Sequence, residues 1–109
     1  MIEVVCINDK NRPKEIPASD WVKEGEKYHI THVSIQVNQI ENGQPVLGCD
    51  LYEKPLSLEN HKPYECWRFA RFGVDQENLQ ALIELIQDCY NLPKDEINTL
   101  IEESELQHI

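Results

Sequence analysis

The chain has 109 residues, 40% hydrophobic and 28% charged, which fits one globular domain and excludes a wholly disordered segment. Ten Lys and Arg stand against 20 Asp and Glu, a formal charge of −10. Such a surface repels phosphate backbones and disfavours a general nucleic-acid binder.

Ile2 to Ile7 is short, β-branched and bounded by Asn8-Asp9, so it predicts a strand ending in a turn. Residues 8–20 carry Pro13 and Pro17 and no helical period, predicting a loop with Ile16 tucked inward. Trp21 and Val22 lead into Lys23-Glu24-Gly25-Glu26, a charged turn in which Gly25 is free to take positive φ. Lys27 to Ile40 is the longest strand candidate. Its apolar parity switches near Thr31-His32, which predicts a bulge there. Asn42-Gly43 marks a hairpin, and Pro45 to Glu53 returns as its partner strand.

Four of the eight aromatic residues fall in Pro63 to Phe72: Tyr64, Trp67, Phe69 and Phe72, with Arg68 and Arg71 between them. Aromatics favour pleated, half-buried positions. The stretch therefore predicts a strand, or a turn and a strand, closing a small β core, with Trp67 to Phe72 extended. From Asp75 the period becomes 3.6, with Asp75 as N-cap and Leu79, Leu82, Ile83, Ile86 and Tyr90 on one face. Asn91-Leu92-Pro93 ends this helix, and Asp95 to Gln107 predicts a second, with Ile97, Leu100, Ile101 and Ser104 inward. Charge divides at the same place: residues 1–74 sum to −2, and residues 75–109, with one Lys and nine acids, sum to −8.

The pieces Val4-Val5-Cys6-Ile7-Asn8-Asp9, Ile16-Pro17, Val22-Lys23-Glu24-Gly25-Glu26-Lys27-Tyr28, the glycine-containing hairpin and Arg71-Phe72 resemble small SH3-like barrel proteins of phages and bacteria. The resemblance covers residues 1–73. It implies an α+β chain: an SH3-like antiparallel β-barrel over 1–73, then two acidic helices over 74–109 packed on it. No catalytic set comes with that family.

Chemistry is sparse. Cys6, Cys49, Cys66 and Cys89 form no C-x-x-C pair, and with no basic leader or long apolar run the chain is expected to be cytoplasmic, with reduced and mostly buried thiols. No membrane span is expected. His29 and His32, three apart in a strand, are expected on opposite faces, which leaves no metal site. Phosphate-cradling glycine loops and hydrolase motifs are absent, so neither catalysis nor a cofactor is expected.

One constellation stands out. Trp21, Tyr28, Tyr64 and Trp67, rimmed by Arg68 or Arg71, would suit a groove for an extended peptide, or would simply fill the core. Arg71 has a second reading, as a structural arginine reaching Asp9, Asp20 or Glu24. The leading function is thus a non-catalytic protein-interaction or structural module. Its partner is a protein or peptide, or a second copy docking through the C-terminal helices. The alternative is a nucleic-acid accessory using Arg68, Arg71, Lys10, Arg12 and Lys14.

Overall fold

In the computed structural model, which describes residues 2–38, 44–55 and 66–109, strand β1 (Ile2–Cys6) buries Ile2, Val4 and Cys6 and turns Glu3 and Val5 outward. It pairs antiparallel with β2 (Lys27–Asn38), Ile2 facing Ile30 and Val4 facing Tyr28. The proline-bearing loop between them, with one 3-10 turn at Ala18–Asp20, is tied at its base. The Gly25 N–H donates to Cys6 O at 2.8 Å and the Cys6 N–H to Glu26 O at 3.0 Å. Gly25 makes this turn at φ 88, where a side chain would be strained.

Strand β3 (Gln44–Leu51) runs antiparallel to β2, and the register shifts between Ile30 and His32. The bulge expected there is present. It has a consequence that simple alternation misses: Tyr28 and Ile30 before it and Val33 after it are all buried. His29 and His32 therefore both lie on the outer side, not on opposite faces as alternation predicts, because the extra residue resets the parity. The Asn42-Gly43 turn and the connection holding His61 and Tyr64 lie outside the described residues.

Trp67 to Phe72 is not one extended run. Trp67–Arg68 forms β4 on the edge of β3, Phe69–Arg71 makes one 3-10 turn, and Phe72–Val74 forms β5 beside β1. The turn is needed because β4 and β5 join different sides of the sheet, whose order is β4-β3-β2-β1-β5-β6. Gly48 lets β4 approach, since a Cβ there would overlap the Cys66 Sγ and stand 3.3 Å from Trp67 O.

Helix α1 (Gln76–Tyr90) starts as expected: the Asp75 carboxylate accepts the Asn78 N–H at 2.8 Å. Leu82, Ile83 and Ile86 are buried, and Asn91, left-handed at φ 52, stops the helix. Helix α2 (Lys94–Glu103) buries Ile97 and Ile101. These side chains join those of the sheet in one core cluster. The helix ends earlier than its period predicts. Ser104 bonds back to Leu100 O, Glu105 turns left-handed at φ 64, and Gln107–His108 forms β6, parallel to β5. Among the described residues, no helix is long and apolar enough to cross a membrane.

The tail also hydrogen-bonds the sheet at its open margins. Asn78 Oδ1 accepts the Glu3 N–H at 3.0 Å, the Tyr90 hydroxyl accepts the Ile35 N–H at 3.2 Å, and Ser104 Oγ accepts the Leu47 N–H at 2.7 Å. Each donor is a strand amide with no strand partner on that side among the described residues. A buried amide left unmade costs about 1–3 kcal/mol. Ser104→Ala, which orphans the buried Leu47 N–H, is expected to lower stability by about that amount. Urea denaturation should show a reduced midpoint with an unchanged slope; an unaltered midpoint would show that the bond carries no weight.

Candidate functional site

Trp21 leaves the proline loop, Trp67 sits on β4 and Arg71 ends the 3-10 turn, and the three meet. The indole rings are 4.9 Å apart at 57°, and the Arg71 guanidinium lies over Trp21, 4.6 Å from the ring centre. Such a cation over indole is worth about 0.5–2 kcal/mol, more as water is excluded. Arg71 Nη1 also donates to Asn8 O at 3.1 Å and Lys10 O at 2.8 Å, so this side chain grips the loop backbone. Tyr28, beneath, meets Phe72 edge-on at 6.5 Å.

Every polar handle of these rings is used on a connection. Trp21 Nε1 donates to Asp9 O, Trp67 Nε1 donates to Lys54 O, and the Tyr28 hydroxyl accepts the Lys23 N–H, all within 2.8 to 2.9 Å. Exposure decides the role. Trp21 is 6%, Tyr28 4% and Trp67 2% exposed, so these three do not line an open groove. They are part of the same core cluster as Ile16, Phe69 and Phe72, where their apolar area is removed from water. Arg68 is exposed on β4, apart from the stack, and Tyr64 lies outside the described residues. Lys10, Arg12 and Lys14 are exposed along the proline loop.

Catalytic chemistry finds little here. Burial pushes the Cys6 thiol up, and raises Cys49 well above its ordinary value, so both stay protonated and inert. Cys66 is half-buried and Cys89 exposed. His29 bonds Glu53 through its ring Nδ1 and, at 2.8 Å, through its backbone N–H. His32 faces Asp50 across the strands at 3.9 Å. Among the described residues no three His, Cys, Asp or Glu gather to hold a metal ion.

The feature that sequence reasoning missed lies on the tail. An open surface depression of about 370 Å³ flanks α2, bordered by Asp95, Glu96, Thr99 and Leu100. The i, i+4 pairs Asp95/Thr99 and Glu96/Leu100 were the available signal, polar side chains around the one apolar Leu100. The chain matches no family model, no curated protein and no solved structure.

Two outcomes follow for stability. Trp67→Ala is expected to cost about 3–5 kcal/mol by calorimetry or urea melting, as a buried aromatic does; a loss near zero would put Trp67 on the surface. For pH, desolvation would raise Glu53, but the His29 bonds outweigh it and hold the carboxyl below its ordinary 4.5. A depressed carboxyl stabilises the fold above 4.5 and loses that contribution as pH falls through its lowered value. Tyr28, raised by burial despite the Lys23 bond, works oppositely: its contribution is full below 10.0 and is lost as pH rises past that. Melting temperature should therefore fall at both extremes, with Glu53→Gln flattening only the acid limb; an unchanged acid limb would contradict the His29 linkage.

Proposed function

We propose that the chain is a non-catalytic protein-interaction module. Its binding surface is the acidic outer face of α1 and α2, and its partner is a protein presenting a basic surface. The carrying observation is that all nine acids of residues 75–109 are exposed, while the apolar stripes of both helices face the core. Among the described residues none of these acids pairs with a Lys or Arg. Like charges crowded on one face repel, which disfavours the free state and favours a basic partner.

An SH3-like barrel for residues 1–73 is part of this reading, and strand geometry supports it. Arg68 pairs with Gly48 of β3 and Phe72 with Cys6 of β1, four residues later. In a flat sheet β4 and β5 would stand about 19 Å apart, four strand spacings. Four residues reach about 13 Å at most. The sheet must curl strongly to bring its sides together, as a small barrel does.

The test is isothermal titration of an arginine-rich amphipathic peptide into the full chain. Binding should weaken steeply with salt. It should be abolished by the combined reversal Glu84→Lys, Asp88→Lys and Glu96→Lys, and survive the equal reversal of Glu15, Glu24 and Glu26 to Lys. Equal sensitivity to both sets would reduce the effect to net charge and remove the tail site. Tight binding of duplex DNA, lost when Lys10, Arg12 and Lys14 become Glu, would favour the nucleic-acid reading instead.

A further inference from the structure

The bulge in β2 sets two histidines side by side. Thr31 is the extra residue, since Ile30 faces Leu51 and His32 faces Asp50. His29 stands opposite Tyr52, whose N–H donates to the His29 carbonyl at 2.9 Å. Positions 50 and 52 are two apart, so the histidines are spaced as neighbours on one face of a regular strand, about 7 Å along it. Both lie on the outer side, their side chains 39% and 78% exposed. Alternation, the ground for expecting no metal site, does not hold here.

What each Nδ1 meets decides where its ring keeps a lone pair. The ionised Glu53 carboxylate can only accept, so His29 Nδ1 carries the proton between them. Thr31 Oγ1 sends its hydrogen to Asp50 O at 3.4 Å and so accepts from His32 Nδ1 at 3.1 Å. In both neutral rings the lone pair is left on Nε2, and neither Nε2 makes a hydrogen bond among the described residues. A metal-ligating imidazole is held in this way, with the far ring N–H on a carboxylate or another acceptor. Glu3 faces His29 from β1, so Glu3, Asp50 and Glu53 flank the pair against the single Lys27 amine, a balance that favours a cation.

From this we infer that His29 and His32 form a two-histidine site for a divalent transition-metal ion such as zinc, bound through both Nε2 atoms, with Glu53 and Thr31 as positioning residues. No third His, Cys, Asp or Glu joins them among the described residues, so water completes the shell and the ion exchanges readily. Imidazole nitrogen suits zinc and copper, whereas magnesium and calcium take oxygen ligands. The site lies on the sheet and is independent of the acidic tail's partner.

Calorimetric titration of zinc chloride into the full chain carrying Cys89→Ser, which removes the exposed thiol, tests it. One ion should bind per chain, and magnesium chloride should give no binding heat. His32→Ala should abolish zinc binding, and Glu53→Ala should weaken it about 10–100-fold. Glu53→Gln, still an acceptor for Nδ1–H, should recover most of that loss. Zinc uptake unchanged by His29→Ala with His32→Ala would reduce it to an adventitious ion on the acids and overturn the site, as would a parent chain that takes up no zinc. Binding unaltered in Glu53→Ala would overturn the positioning role. Should the variants fail to fold, ring-nitrogen NMR of the wild type decides. Zinc is expected to shift Nε2 of His29 and His32 and leave His108 in place; a shift of His108 alone would refute the assignment.

Discussion

Arg71 over Trp21, with Trp21 against Trp67, is the contact on which the sheet and its connections jointly depend. It gathers the proline loop, the β4 edge and the 3-10 turn at one point. These segments have little regular hydrogen bonding of their own to hold them. The loop has no ladder, β4 is two residues long and the turn is a single one. Several backbone groups of the connections are satisfied by the ring N–H groups, the Tyr28 hydroxyl and the Arg71 fork. Each aromatic thus supplies apolar area to the core and one polar atom to a connection. That double duty explains why so few aromatic residues suffice for a chain with such long irregular segments.

The helical tail completes the arrangement from the other side. Its apolar stripes fill the core beneath β1 and β3, and Asn78, Tyr90 and Ser104 reach the strand amides that the short sheet leaves open. Uncovered strand sides invite association, and covering them is as much a task of the fold as filling its interior. Packing inward with one face leaves the other face free, and that face is where the negative charge gathers. The division of labour within each helix therefore follows from one amphipathic pattern.

Much of this was legible in the residues, for local reasons. Asp75 three residues before Asn78, Asn91 before Leu92-Pro93 and the parity switch at Thr31-His32 each specify backbone geometry within a few positions, and each is met. What stayed open or was missed depended on residues distant in sequence. Whether Trp21 and Trp67 line a groove or fill a core turns on how far the proline loop folds over them, which Arg71 and the Asn8 and Lys10 carbonyls determine. The grip of Arg71 on those carbonyls carries no sequence signature. The early end of α2 was hidden likewise, since Ser104 fits the helical period and only Leu47 on β3 gives its hydroxyl another use. Strand β6 is two residues long and has no alternation to read.

The chain's only two tryptophans are the two in the stack, so their emission reports on it without labelling. Steady-state fluorescence with acrylamide quenching of the native protein is therefore the most direct measurement. Blue-shifted emission, barely quenched until the protein unfolds, is the predicted result. Red-shifted emission that acrylamide quenches freely under native conditions would place the rings in water and contradict the stack as the structural centre.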